Sequence, residues 1–217
     1  MKALFIGLGS IGQRHLRNLK KLSPQIKISS YRTKKDTPLL SENNEIIYDQ
    51  SIAQHYSLTE YFDLDIALDD EPDLIFITNP SKFHISTALK CLRKEAFIFI
   101  EKPLSVSIDK IDELESLNNK YKTNKVAIGY QFRFHPGIKL IKTKLKELGN
   151  IVSCDFIYGE YLPDWHPYED YRKSYAAKSE LGGGAVLTLI HDFDLSLYLF
   201  GMPSKIYAIG DKFSSLE

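Results

Sequence analysis

The chain has 217 residues, of which 43% are hydrophobic and 26% charged, with 28 Lys and Arg against 28 Asp and Glu. That balance excludes a wholly disordered chain, which would be poorer in apolar residues and more lopsided in charge. A zero formal net charge gives no sign of a nucleic-acid or polybasic membrane surface. The length allows one large domain or two small ones.

Two cysteines, Cys91 and Cys154, are too few for a disulfide framework, and both read as small packed residues. The apolar run within Met1–Gly9 is too short for a signal peptide. No apolar run approaches the roughly 18 residues of a membrane span. A soluble protein of the reducing cytoplasm is expected, with no nucleic-acid or membrane partner.

In chain order, Lys2–Ile6 reads as a strand, Gly7–Gly12 as a glycine turn, and Ile11–Leu22 as a helix with Leu16, Leu19 and Leu22 on one face. Pro24 closes that helix and Gln25–Tyr31 is a second strand. Residues 33–44 look like loop, Glu45–Tyr48 a short strand and Asp63–Asp70 a short helix. Asp73–Thr78 is a continuous apolar run, typical of a parallel strand buried on both faces. Lys82–Lys94 is a helix and Ala96–Ile100 another buried strand. Ile108, Ile111, Leu114, Leu117 and Tyr121 mark an amphipathic helix, and Val126–Tyr130 a strand. Pro136–Leu148 is a helix with Ile138, Ile141, Leu145 and Leu148 facing inward.

After Gly149, Ile151–Tyr161 alternates like a long strand. A polar, aromatic loop through Trp165, His166 and Tyr171 follows, then a helix over Ala185–Phe200 and a last strand at Lys205–Ile209. The expected fold is α/β: a Rossmann-type doubly wound parallel sheet over residues 1–130, then a partial α+β domain with a mostly antiparallel sheet over 131–217.

Gly7-Leu8-Gly9-Ser10-Ile11-Gly12 fits G-x-G-x-x-G directly between a strand and a helix, the context that gives the pattern meaning. The first glycine permits the turn, the second lets backbone approach a pyrophosphate, and the third allows close packing. The helix N-terminus offers N–H groups and a positive dipole end, so Gly7, Gly9, Ser10, Ile11 and Gly12 are candidate dinucleotide contacts. A carboxylate some 20 residues on would hold the 2′-hydroxyl of NAD. Here the second strand ends Ser29-Ser30-Tyr31-Arg32-Thr33-Lys34-Lys35, with no carboxylate before Asp36. Arg32 can pair with a 2′-phosphate, helped by Ser30, Thr33 or Lys34, so NADP(H) is favoured over NAD(H).

Four segments together resemble the glucose–fructose oxidoreductase / inositol dehydrogenase (Gfo/Idh/MocA) family of NAD(P)-dependent oxidoreductases. They are the glycine turn with Arg14-His15, Thr78-Asn79-Pro80 through His84, Glu101-Lys102-Pro103, and Gly182-Gly183-Gly184 through His191 and Asp194. The resemblance implies hydride transfer between a nicotinamide and a hydroxyl or keto carbon of a sugar, cyclitol or sugar derivative, including bacterial surface-polysaccharide biosynthesis. It implies Lys102 beside the nicotinamide and the reacting hydroxyl, and His191 as general base or hydroxyl partner. Asn79, Pro80, His84 and Glu101 would lie along the cofactor. Thr188 stands where the family often has Asp or Glu, and can offer a substrate hydrogen bond but no charge.

Asp194 is the acidic residue one turn beyond His191. Arg133 reaches a sugar hydroxyl or phosphate, or sits in a structural ion pair. His84 closes over the cofactor or fixes its turn. Trp165 and His166 are positioned to cap a sugar ring. No metal is expected, since no ligand cluster supports the His-Asp-x-Asp stretch. The resemblance also implies a longer chain and a homo-oligomer, so residues 131–217 are expected to form an incomplete substrate domain with open strand edges. The alternative is a cofactor-binding protein that is catalytically impaired, or a sensor.

Overall fold

The computed structural model describes residues 1–33, 36–120, 125–166, 168–212 and 214–216. Lys34 and Tyr121, read above as a phosphate contact and a helix residue, lie outside them. The chain divides into two units, one of residues 1–129 with 162–188, the other of 130–161 with 189–217. Residues 162–188, read above as part of a second domain, therefore pack with the first 129.

In the first unit, β1 (Lys2–Ile6) leads through α1 (Ser10–Leu22) to β2 (Lys27–Tyr31). A two-residue pair, β3 (Leu39–Leu40) and β4 (Ile46–Ile47), is antiparallel, with Leu40 opposite Ile46. Then come α2 (Ile52–Tyr56), β5 (Thr59–Tyr61), α3 (Leu64–Asp69), β6 (Leu74–Ile77), α4 (His84–Cys91), β7 (Phe97–Ile100), α5 (Ile111–Lys120) and β8 (Val126–Ile128). The main sheet has the order β5-β2-β1-β6-β7-β8, and every described pairing in it is parallel. The small antiparallel sheet stands apart from it.

Both faces of the main sheet are covered, which is why β1, β6 and β7 read as apolar runs. On β1, Ala3 and Phe5 join Leu16, Ile28 and Ile52 in one core, while Leu4 and Ile6 join Ile75, Ile98, Ala88 and Cys91 in the other. Burial pushes the Cys91 thiol up to about 12, so it is an inert core residue. The chain leaves β1 toward β2 on one side, and β6 lies on the other, so the order reverses between β1 and β6. Ligands of open α/β sheets bind at such a reversal, beyond the carboxyl ends of the strands.

The loop expected over 33–44 contains β3, whose Leu40 N–H donates to the side chain of buried Gln13 at 2.8 Å. Gln13 in turn donates to the carbonyls of Leu8 and Pro38 at 3.1 and 2.9 Å. α2 starts with a capping box between Ser51 and Gln54. Asp63 caps α3 by accepting from Asp65 N and Ile66 N at 2.8 and 3.0 Å.

In the second unit, α6 (Pro136–Lys144) starts with Pro136 at its first turn and His135 Nδ1 accepting from Gly137 N at 3.1 Å. Its stripe does not face inward as expected, because Ile141 and Leu148 are exposed and Ile138 and Leu145 only half-buried. An apolar stripe is buried only where another element covers it.

The helix expected over Ala185–Phe200 is two: α7 (Ala185–Thr188), which belongs to the first unit, and α8 (His191–Phe200) in the second. Segments 151–161 and 205–209 form no strand, and Val152, Ile157, Ile206 and Ile209 are exposed. Alternation makes a segment ready to be a strand, but a ladder needs a second backbone to bond to.

Candidate active site

The first unit builds a dinucleotide cradle at the β1–β6 reversal. Gly7 adopts φ +94°, and a Cβ there would stand 2.8 Å from Asn79 N and 2.9 Å from Asn79 Cα. A Cβ on Gly12 would lie 2.5 Å from the Gly7 carbonyl oxygen and 2.8 Å from Thr78 Oγ1. Thr78 Oγ1 donates to that carbonyl at 2.6 Å and locks the turn to the end of β6. Gly9 differs, since a Cβ there meets nothing within 4 Å. Packing inside the protein does not require glycine at 9, whereas a ligand pressed against this backbone does. No acidic residue stands in the first turn of α1, and its N-cap makes no side-chain bond. The residues present therefore fit a pyrophosphate.

Asn79 donates from its side-chain amide to Thr87 Oγ1 at 3.2 Å, and Pro80 leads into a 3₁₀ turn at Ser81–Phe83. His84 is buried, with Nδ1 2.7 Å from the Pro103 carbonyl oxygen and Nε2 2.8 Å from that of Asn79. Of the two roles open to it in the sequence, both ring nitrogens serve the second, fixing the turn. Burial lowers its pKa, against the opposing pull of the two carbonyls and the Glu101 charge. The folded state then binds fewer protons than the unfolded chain as pH falls below the ordinary value of 6.5. Stability should drop there by up to about 1.4 kcal/mol per pH unit, and level off once the folded imidazole itself protonates. Urea titrations of the wild type and His84→Gln between pH 7 and 5 check this; the variant should lose that part of the slope.

Glu101 is also buried, and serves the protein. Its Oε1 lies 2.7 Å from His15 Nε2, and its Oε2 accepts from the Lys102 backbone N–H at 3.0 Å. The carboxylate thus ties α1 to the strand end that presents Lys102. No local signal links His15 to Glu101, 86 residues away.

Lys102 Nζ donates to the Thr188 carbonyl at 2.6 Å, where α7 ends. The Thr188 hydroxyl is turned back on the Gly184 carbonyl at 2.7 Å. Gly182 and Gly183 before it are demanded by packing. A Cβ on Gly182, at φ +90°, would lie 2.4 Å from Val106 Cγ1, and one on Gly183 2.4 Å from the carbonyl oxygens of Tyr175 and Ala176. His166, read as a sugar-capping residue, has Nε2 3.4 Å from Ser10 Oγ and Nδ1 2.7 Å from Glu169 Oε1. It stands beside the glycine turn.

Arg32 is buried and its guanidinium is paired with Glu60 on β5. No local signal in the sequence links Glu60 to Arg32.

In the second unit, Arg133 Nε donates to Asp194 Oδ1 and Oδ2 at 3.1 and 3.0 Å, and Nη2 also reaches Oδ1. The Arg133 guanidinium lies 5.4 and 5.2 Å from the ring centres of Tyr130 and Tyr198. Asp194 is 5% exposed, so of the two roles read for Arg133 the ion pair is the one formed. His191 Nε2 is 3.3 Å from the Gln131 amide nitrogen, and its ring packs edge-on to Phe132 at 4.7 Å. Lys102 and Thr188 belong to the first unit, His191 and Asp194 to the second. Among the described residues, no group of three or more His, Cys, Asp or Glu is placed to hold a metal ion. No described helix is long and apolar enough to cross a membrane.

Residues 1–130 match the family model described as an oxidoreductase family with an NAD-binding Rossmann fold, and residues 142–216 match the GFO/IDH/MocA C-terminal domain. The chain belongs to the GFO/IDH/MocA oxidoreductase family. It is 28% identical over 207 residues to the uncharacterized oxidoreductase YrbE of Bacillus subtilis (strain 168), covering 94% of this chain and 55% of that one.

Among solved structures it resembles the myo-inositol 2-dehydrogenase of Lactobacillus plantarum, with a TM-score of 0.71 and 21% identity over 93% of this chain and 56% of that one. It also resembles the WlbA dehydrogenase of Chromobacterium violaceum, solved with NADH and UDP-GlcNAcA, with a TM-score of 0.72 and 17% identity over 93% and 55%. At such identities the two structures establish the fold alone. The chain spans a little over half the length of these relatives.

Proposed function

We propose that this chain binds a nicotinamide dinucleotide at the Gly7–Gly12 turn and takes part in hydride transfer to or from a hydroxyl-bearing carbon of a cyclitol or sugar. The open space at Gly9, at the sheet's point of reversal, carries the reading. The dinucleotide, when bound, accepts or supplies the hydride at its nicotinamide ring.

The chain's own groups handle the rest. The Gly9–Gly12 backbone N–H groups face the pyrophosphate. Lys102, held at the carboxyl end of β7 through Glu101 and the Thr188 carbonyl, donates an N–H to the reacting oxygen. His191, on the second unit, is the other candidate for handling a hydroxyl proton. The family's inositol dehydrogenases and the UDP-sugar bound to the WlbA structure support a polyhydroxylated ring as substrate. A role in surface-polysaccharide synthesis is the narrower form of this reading. The NADP(H) preference rests on Arg32, and its pairing with Glu60 supports NAD(H) instead.

The test is Gly9→Ala. The added methyl meets no protein atom, so the melting temperature should stay within a few degrees, the change at the helix cap costing under about 1 kcal/mol. NADH affinity, read by fluorescence titration, should fall more than about tenfold. Undiminished NADH binding in a normally folded Gly9→Ala protein would show that the turn is only structural.

A further inference from the structure

The end of β2 is where dinucleotide-binding sheets place the acid that reads the ribose. β2 itself has none, and the structure supplies one from the neighbouring strand. In the β2–β5 ladder Ser30 stands directly opposite Glu60 and Tyr31 opposite Tyr61, and Arg32 N donates to the Tyr61 carbonyl at 3.3 Å. Residues opposite each other in a ladder share a face, as do alternate residues along a strand. Ile28 on that face packs with Leu16 of α1, so Ser30, Arg32 and Glu60 carry the α1 side of the sheet onward to its carboxyl edge.

The cluster is buried and polar. Arg32 is 7% exposed and its guanidinium pairs with the Glu60 carboxylate. Among the described residues, Arg32 Nε and the wholly buried Ser30 hydroxyl have no hydrogen-bond partner. Buried polar groups are almost always satisfied, so two orphans side by side at a nucleotide edge mark a place shaped for oxygen atoms from outside the chain.

We propose that Glu60 is the specificity-determining residue of this site: paired with Arg32, it admits a ribose with a free 2′-hydroxyl and turns away a 2′-phosphate. The proposal rests on the dinucleotide reading above. A 2′-phosphate brings close to two negative charges. To use Arg32 it must either pull the guanidinium from Glu60, leaving a half-buried carboxylate uncompensated, or lie against that carboxylate. A 2′-hydroxyl adds no charge and can donate to the carboxylate that Arg32 holds in place. The discrimination is therefore largely repulsive, and it resides in a residue that local sequence does not connect with the cofactor.

The full chain, wild type and Glu60→Gln, is titrated with NADH and with NADPH by nucleotide fluorescence, without any turnover assay. The wild type should bind NADH at least about tenfold more tightly than NADPH, and Glu60→Gln should strengthen NADPH binding by about tenfold or more while NADH changes by less than about threefold. Adding Arg32→Ala to Glu60→Gln should cancel that gain. On the wild type alone, calorimetric competition gives a readout that needs no variant: ADP should displace NADH, and 2′,5′-ADP should not. A wild type that prefers NADPH, or a folded Glu60→Gln protein with an unchanged ratio, overturns the proposal while leaving dinucleotide binding intact. A wild type that binds neither dinucleotide overturns both.

Discussion

Lys102→Met should lower turnover of a cyclitol or sugar substrate by about 10²–10⁴-fold, the range a positioned proton donor or acceptor supplies. The loss should fall mainly on kcat, because an interaction strengthened in the transition state is removed while most substrate contacts remain. Methionine keeps the length and apolar stem of lysine and discards the ammonium. The surroundings of Lys102 make the loss specific. β7 is fixed by Ile98 and Ile100, fully buried and registered against β6 and β8. The next residue, Glu101, holds the Lys102 backbone N–H and is itself held by His15. The ammonium then reaches the Thr188 carbonyl. A side chain fixed at its root and near its tip loses little entropy when it meets a reacting oxygen. Losing the bond to Thr188 costs about 1.5–3 kcal/mol at most, so the variant should still fold. Steady-state kinetics with inositols and sugars check the prediction, and a variant with wild-type kcat would remove Lys102 from the chemistry.

Much of the first unit could be read from the sequence because its signals are local. A strand buried on both faces is a continuous apolar run, and β1, β6 and β7 each sit where such runs stand in the sequence. The glycine turn and the Glu-Lys-Pro element are contiguous too. The stretch from 33 to 61 was harder, since β3, β4 and β5 are two or three residues long and give no periodicity. Ser51 and Gln54 do carry a local signal, since their spacing is that of a capping box.

The long-range polar pairs are not legible, since the sequence allows an ion pair at Arg133 but names no partner for it. Arg133 and Asp194 are 61 residues apart, and His15 and Glu101 86 apart. Only the folded chain brings such partners together, and it shows Arg32, His84 and Glu101 each bonded within the protein. The alternation of 151–161 is genuine, but it describes a surface suited to a partner strand. Composition cannot say whether that strand is present.

Gly7→Ala should cost about 2–5 kcal/mol, a large share of the roughly 5–15 kcal/mol that holds a domain together. Two independent penalties add. At φ +94° an L-residue meets its own backbone, which costs roughly 1–2 kcal/mol. The new methyl also meets Asn79 N, Asn79 Cα and Thr78 C at 2.8, 2.9 and 3.0 Å, all backbone atoms that no rotamer change can move, and overpacking of this kind costs about 1–3 kcal/mol.

Relief requires β1 and β6 to separate at the reversal. That strains the Thr78 bond to the Gly7 carbonyl and the ladder through Ile6 and Ile77. The melting temperature should fall on the order of 10 °C, at 2–4 °C per kcal/mol for a chain of this size. NADH binding should weaken with it, because the same movement distorts the turn. Calorimetry on Gly7→Ala beside Gly9→Ala separates two jobs done by one motif. The first variant should lose stability and binding together, and the second should lose binding alone. An unchanged melting temperature for Gly7→Ala would mean that β1 and β6 are not held as closely at Gly7 and Asn79 as these distances require.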